Sequence, residues 1–148
     1  MSVNTVKHTE EATPTYLGGG DPALADYYPG WLDNLADDVT LEGSMMDGAV
    51  QGAEAVRAVL VVIRSLYDVQ EFHFTGPYGK NGFLEDYTAR VGGQAIGNYT
   101  VITRNAAGQT QHIVGNYRPR SALLLLSRLI GEHFAGTPYG KHFATTGN

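Results

Sequence analysis

The feature that most constrains the fold is a change of hydrophobic period near residue 67. From Ala53 onward, apolar residues recur at helical spacing and form one face, made of Val56, Val59, Leu60, Ile63 and Tyr67. The pattern then alternates with period two, which predicts strands over residues 69–75, 83–91, 95–104 and 109–117. Because the turns between these strands are short, we expect the strands to pair antiparallel in sequence order.

The segment before residue 53 predicts two short helices and one strand. Asp21 followed by Pro22 is a helix start signal, because Asp accepts at the N-cap and Pro fits the first helical position. Pro29-Gly30 breaks this helix, and a second helical stretch then runs from Trp31 to residues 37–38. Residues 39–42 alternate as a strand, and residues 43–52 are predicted to form a loop.

The last helix is predicted over residues 122–134, after Pro119 ends the sheet and with Ser121 as its cap. Its apolar residues fall on two faces, so it must be covered by more than its own sheet. We expect a homodimer to provide this cover; the alternative is that the tail, residues 137–148, folds back over the helix.

The order of elements predicts an α+β fold in which a curved antiparallel sheet wraps around the N-terminal helices. Such a cone encloses an apolar interior pocket, and the C-terminal helix is added to it. A chain of 148 residues fits one domain. We place this domain at residues 21–136, between a flexible leader (1–20) and the tail.

Composition excludes several classes of partner. The net charge is −5 and basic residues are scattered, so no nucleic acid is expected. No apolar run approaches the ~20 residues that cross a bilayer, so no membrane partner is expected. The five histidines lack metal-ligand spacing and cysteine is absent, so we expect no metal and no cofactor. The first residues lack a secretory signal pattern, which predicts a cytoplasmic protein.

Four segments resemble the nuclear transport factor 2-like superfamily, and its SnoaL-like branch most. They are residues 32–42 (LDNLADDVTLE), 51–57 (QGAEAVR), 105–109 (NAAGQ) and 117–119 (YRP). The resemblance implies the cone fold described above. It does not imply one activity, because this fold carries isomerases, dehydratases, cyclases and non-enzymatic binders.

The resemblance also implies where carboxylates would lie in the family's enzymes. Ketosteroid isomerases place a general base at the position of Gly43 and a protonated acid near the position of Thr100. SnoaL-like cyclases place an acid–base aspartate at the position of Arg118. None of these three positions holds a carboxylate here, which argues against a simple transfer of either mechanism.

Other residues could carry proton-transfer chemistry. Alternate residues of a strand share a face, so an inward Arg118 predicts that His112 and Asn116 also line the pocket. His112 would act as the base and Arg118 would stabilise negative charge. The alternatives are a solvent-facing His112 and an Arg118 paired with Asp86 or Glu85.

On the strand over residues 83–91, either Glu85 and Tyr87 face the pocket or Asp86, Thr88 and Arg90 do. Counting from the following glycine turn favours Glu85, which would then form an acid–base pair with His112. The predicted ligand-binding residues are Trp31, Tyr28, Tyr87, Thr100 and Asn116.

The leading functional hypothesis is the binding of a small, mostly apolar molecule, without firm evidence of catalysis. One alternative is a cofactor-free lyase or isomerase, such as a dehydratase, cyclase or ketosteroid-isomerase-like enzyme, that uses His112 and Arg118. A second alternative is a protein-interaction module. A pocket with inward polar groups would favour the first two, and a filled cone with an exposed apolar sheet face would favour the third.

Overall fold

The fold is built on a curved six-stranded sheet, seen in a computed structural model that describes Leu17 and residues 19–143. In the described residues, the 3-10 turns Pro22–Leu24 and Gly30–Asp33 precede the first strand. The strands are β1 (Leu35–Gly43), β2 (Val50–Gln51), β3 (Tyr67–Tyr78), β4 (Gly82–Val91), β5 (Gln94–Arg104) and β6 (Thr110–Arg118). The α-helices of the described residues are α1 (Ala53–Leu66) and α2 (Arg120–His133), and α2 is followed by another 3-10 turn, Gly140–His142.

The sheet has the order β2-β1-β6-β5-β4-β3. Strands β3 to β6 form the antiparallel meander that the short turns predict. One pairing differs from the prediction of an antiparallel sheet, because β1 lies parallel to β6. The long stretch of chain between these two strands allows β1 to join the sheet in either direction, so turn length does not determine this pairing. The fold class is confirmed as α+β, with a mixed sheet.

The core lies between the concave side of the sheet and helices α1 and α2. Helix α1 buries Val56, Val59 and Ile63 against β1, as its hydrophobic period predicts. Helix α2 contributes Leu126 and Ile130, both fully buried. No helix within the described part of the chain is long and apolar enough to cross a membrane.

The N-terminal segment is where the sequence prediction was wrong. Asp21 does accept a hydrogen bond from the Ala23 amide (2.9 Å), but the turn ends after Leu24. The second predicted helix is a 3-10 turn of four residues, and β1 already begins at Leu35. Short helices are costly to nucleate, and pairing with β6 gives the buried residues of 35–39 a place in the core.

The C-terminal helix begins earlier than predicted. Pro119 is its N-cap and no side chain caps it, so the prediction of Ser121 as the cap was wrong. Beyond the helix, Phe134 and Tyr139 pack edge to face with their ring centroids 5.4 Å apart. Phe143 joins the core at 5% exposure. Residues 137–143 therefore fold back over α2, which was the alternative to cover by a second subunit.

Candidate functional site

A pocket of about 70 Å³ lies on the concave side of the sheet. Residues 27–32, which we call the roof segment, lie over the pocket and contribute Pro29, Trp31 and Leu32 to its wall. Most of the wall is apolar and includes Leu41, Met45, Leu60, Ile63 and Ile113. Polar atoms enter from Glu85 and Tyr87 on β4, Thr100 on β5 and Tyr117 on β6. This combination of apolar walls and few polar groups is typical of small-molecule sites.

Glu85 is the buried carboxyl of this pocket, with 2% of its surface exposed. Its Oε2 accepts two hydrogen bonds from the roof segment, one from the Tyr27 hydroxyl (2.6 Å) and one from Trp31 Nε1 (2.8 Å). Within the described residues, no hydrogen bond reaches its other oxygen, Oε1. Burial raises the pKa of Glu85, and the two hydrogen bonds partly offset this rise because they stabilise the ionised form.

Tyr27 remains a neutral donor over a wide pH range. Burial and the neighbouring Glu85 both raise the pKa of its hydroxyl. The ring of Tyr27 also packs edge to face on Phe72, with centroids 4.7 Å apart. The roof segment is thus tied to the sheet by both a polar and an aromatic contact.

Three tyrosine hydroxyls meet in the same pocket and form what we call the tyrosine cluster. The hydroxyl of Tyr67 lies 2.7 Å from that of Tyr87 and 2.8 Å from that of Tyr117. The hydroxyls of Tyr87 and Tyr117 are 3.5 Å apart, which is too long for a good O–H···O bond. Burial raises the pKa of all three hydroxyls, so they are neutral donors. Each of the two short contacts uses one hydroxyl proton. The three hydroxyls carry three protons, so one O–H remains to donate a hydrogen bond to a ligand.

Asn98 holds the tyrosine cluster in place. It is 1% exposed, and its Nδ2 donates to the hydroxyls of Tyr87 (2.9 Å) and Thr100 (2.5 Å). Its Oδ1 accepts from the backbone amide of Asn116 (2.9 Å). All polar atoms of this side chain are therefore engaged, as is expected of a buried amide.

Four of the predicted site residues lie in the pocket. Glu85 and Tyr87 face it from β4, in the inward orientation that the glycine turn favoured. Thr100 and Trp31 also line it. Tyr28 does not: it is 58% exposed and its hydroxyl donates to Asp33 on the surface.

The prediction that His112, Asn116 and Arg118 line the pocket was wrong. Strand β6 turns its odd-numbered residues inward (Ile113, Gly115 and Tyr117), so the even-numbered ones lie on the outer face. An offset of one residue moves every side chain of a strand to the opposite face. The expected pair of His112 with Glu85 is therefore not formed.

The three residues have other neighbours on the outer face. His112 Nε2 lies 2.9 Å from Glu42 Oε2, and its Nδ1 contacts the hydroxyl of Thr40. Arg118 stacks over the ring of Tyr99, with its guanidinium carbon 4.6 Å from the ring centroid. The backbone amide of Asn116, whose side chain is exposed, donates to Asn98.

Sequence reasoning did not identify Tyr67, Tyr117 and Asn98 as site residues. Tyr117 could have been found from the parity of β6, because it shares a face with Ile113. Tyr67 was assigned to the apolar face of the preceding helix, but it is the first residue of β3. Asn98 is buried in β5, and no motif in the sequence marked it as a site residue.

No group of three or more acidic, histidine or cysteine side chains is placed to hold a metal ion in the part of the chain that the structure describes.

Comparison with known proteins identifies the fold. No family model and no curated protein matches the sequence. An uncharacterised protein with a cystatin-like fold from Silicibacter pomeroyi DSS-3 is 19% identical, with a TM-score of 0.67 over 72% of this chain and 74% of that one. A steroid delta-isomerase from Pseudomonas aeruginosa is 20% identical, with a TM-score of 0.66 over 72% and 79%.

An NTF-2 like protein of unknown function from Burkholderia xenovorans LB400 is 14% identical, with a TM-score of 0.51 over 58% of this chain and 66% of that one. At these identities the similarity shows the fold alone. It confirms the expected cystatin-like, nuclear transport factor 2-like cone.

Proposed function

We propose that this protein is a cofactor-independent isomerase or lyase that moves a proton on a small, mostly apolar carbonyl compound. The observation that carries the proposal is the buried carboxyl of Glu85, which shares an apolar pocket with the tyrosine cluster. A base and a set of neutral hydrogen-bond donors on one pocket wall are the parts that proton abstraction next to a carbonyl needs.

The proposed reaction begins with ionised Glu85. Its carboxylate takes a proton from a carbon next to the substrate carbonyl, and the electron pair of that C–H bond moves toward the carbonyl oxygen. A hydroxyl of the tyrosine cluster donates a hydrogen bond to the oxygen as negative charge develops. The protonated Glu85 then returns the proton to a different carbon, which completes an isomerisation. In a lyase the electron pair instead expels a leaving group, which takes the proton.

The surroundings of Glu85 support this role. Burial raises its pKa, which makes the carboxylate a stronger base than an exposed one. Tyr27 and Trp31 both bind Oε2, so Oε1 is left to accept a proton. Glu85 and Tyr87 are two residues apart on one face of β4, which separates their Cα atoms by about 6.6 Å. A small ring can lie across this spacing, with its oxygen toward the cluster and its acidic carbon toward Glu85.

The catalytic roles first assigned to His112 and Arg118 are not retained, because both side chains lie on the outer face of the sheet. A second candidate function is binding without catalysis. It is favoured by the 2% exposure of Glu85 and by its bonds to the roof segment, which would also suit a structural carboxyl. The inward polar groups of the pocket favour either candidate over a protein-interaction module.

The test is a panel of small cyclic β,γ-unsaturated ketones, beginning with cyclohex-3-enone, whose isomerisation produces a conjugated ketone that absorbs in the ultraviolet. We expect Glu85→Gln to lower the rate by at least about 100-fold, as for loss of a general base. Glu42→Gln makes the same substitution on the outer face and serves as the control.

Trp31 is the only tryptophan and lies on the pocket wall, so its fluorescence reports ligand binding independently of turnover. Saturable quenching by a ketone that is never isomerised would replace the enzyme proposal with the binding function. Equal rates for wild type and Glu85→Gln would remove Glu85 from the mechanism.

We also propose that the protein forms a homodimer through the outer face of the sheet. The sequence argument for a dimer was that α2 needs further cover, but residues 137–143 cover part of this helix. The support for a dimer is instead a group of partly buried apolar side chains on the outer face of the sheet: Leu84, Val101 and Val114. Sedimentation velocity at micromolar concentration tests this, and a monomer would contradict it.

A further inference from the structure

The pocket opens into a larger groove along the edge strand β3. The two spaces share four wall residues, Arg64, Tyr67, Gln70 and Phe72. Arg64 lies in the last turn of α1 and is exposed, while Gln70 is half-buried on β3. A molecule that fills the pocket and extends to the surface therefore passes these two polar side chains.

The side chains of Arg64 and Gln70 both carry N–H donors at this opening. Neither Arg64 nor Gln70 makes a side-chain hydrogen bond or ion pair to another residue of the described chain. Arg57, two turns earlier on α1, differs because its Nη1 donates to the carbonyl of Leu32 (2.9 Å). The planar fork of a guanidinium matches the two oxygens of a carboxylate, and an amide N–H can add a third bond.

The distribution of charge indicates what the opening would attract. The pocket wall contains two charged residues, Glu85 inside and Arg64 at the opening. Three acidic residues, Asp21, Asp68 and Glu71, line only the outer groove. A negative group is therefore favoured at Arg64 itself, and it is disfavoured both deeper in the pocket and farther out.

We propose that Arg64, assisted by Gln70, binds a carboxylate at the end of the substrate that is remote from the reacting carbonyl. The substrate class is then a small cyclic keto acid, with its ketone toward Glu85 and the tyrosine cluster and its carboxylate at the opening. This inference rests on the proposed function, since it names the substrate class of the same pocket, but it concerns binding and not proton transfer.

The experiment compares three ligands with the same ring: 4-oxocyclohexanecarboxylate, its methyl ester, and 4-(trimethylammonio)cyclohexanone. Dissociation constants are measured by Trp31 fluorescence and by calorimetry. We expect the carboxylate to bind wild type about 10- to 100-fold more tightly than the ester, the range for a charge-assisted hydrogen bond. Arg64→Gln should abolish this ratio while leaving the affinity for the ester unchanged.

The control is Lys80→Gln, which removes the same charge from the exposed turn between β3 and β4 and should keep the ratio. Arg64→Lys keeps the charge but loses the fork, so an intermediate ratio is expected. The carboxylate preference should also weaken with added salt, because the opening is exposed.

The inference would be overturned by equal binding of carboxylate and ester to wild type, by tighter binding of the ammonium compound, or by an unchanged ratio in Arg64→Gln. Glu85→Gln separates this inference from the proposed function, because it should lose proton transfer and keep the carboxylate preference. If none of the three ligands binds saturably, both the keto-acid inference and the proposed pocket function fail.

Discussion

Replacing Tyr27 with Phe removes a single hydroxyl from the bond that ties the roof segment to Glu85. The hydroxyl donates to Glu85 Oε2 at 2.6 Å, and Phe would keep the ring contact with Phe72. The neighbouring Tyr28 provides a matched control, because its hydroxyl donates to Asp33 at 2.9 Å on the exposed surface. The same substitution at adjacent positions thus separates a buried contact from a solvated one.

The size of the effect follows from the charge of Glu85. A hydrogen bond to a charged group stabilises a fold by about 1.5–3 kcal/mol, and one to a neutral group by about 0.5–1.5 kcal/mol. Tyr27 is partly buried, so the lower end of the first range applies, about 1.5–2 kcal/mol when Glu85 is ionised. For a chain of this size, that loss lowers the melting temperature by about 3–8 °C.

The loss should depend on pH in a defined direction. The Tyr27 hydroxyl stabilises ionised Glu85, so its removal raises the pKa of Glu85 further. The stability difference between wild type and Tyr27→Phe should therefore grow as pH rises through the folded-state pKa of Glu85, and shrink below it. Thermal unfolding followed by circular dichroism over a pH series measures this. An equal loss in Tyr28→Phe, or a loss in Tyr27→Phe that does not change with pH, would refute the reasoning.

Four further predictions follow from single residues. Burial raises the folded-state pKa of Glu85 above its ordinary value of 4.5. Wild-type stability should therefore fall as pH rises from 4.5 through the folded-state pKa, because the carboxyl ionises more readily in the unfolded chain. Glu85→Gln cannot ionise at this position, so its melting temperatures over a pH series should lack this fall. Asn98→Ala removes three hydrogen bonds and should cost about 3 kcal/mol in urea unfolding; a cost under about 1 kcal/mol would show that the bonds do not support the fold. His112→Gln should leave ligand affinity unchanged in a Trp31 fluorescence titration, because His112 lies on the outer face; a clear loss of affinity would contradict that placement. Gly43→Ala would place a Cβ 2.2 Å from the carbonyl oxygen of Gly115, so it should destabilise the protein by about 1–3 kcal/mol or more, and an unchanged urea midpoint would contradict the close pairing of β1 and β6.

The sequence was sufficient where one hydrophobic period runs over a long segment. Helix α1 and the four strands of the meander follow from such runs, with boundaries within about three residues. The inward orientation of Glu85 was also predictable, because the glycine turn after β4 fixes the register of that strand. The segment from Gly30 to Asp38 was not predictable, since its short apolar pattern suits either a helix or a strand and only pairing with β6 selects the strand.

The site itself was only half predictable, because its parts meet through tertiary structure. Alternate residues of β6 lie on opposite faces of the sheet, and either set could face the pocket. The resemblance led to an inward Arg118, and this choice assigned every residue of β6 to the wrong face. The hydroxyls of Tyr67 and Tyr117 come from residues 50 positions apart and meet across strands β3 to β6. That contact depends on the strand order and on the curvature of the sheet, and no local sequence pattern predicts either of them.

The most direct test of the central claim is exchange of substrate hydrogen with solvent, since it reports C–H bond cleavage whether or not product forms. Protein is incubated with 4-oxocyclohexanecarboxylate in D₂O, and loss of the hydrogens next to the carbonyl is followed by proton NMR. If Glu85 is the base, wild type and Glu42→Gln should accelerate exchange equally, and Glu85→Gln should be slower by at least about 100-fold. Exchange at the wild-type rate in Glu85→Gln would contradict the account.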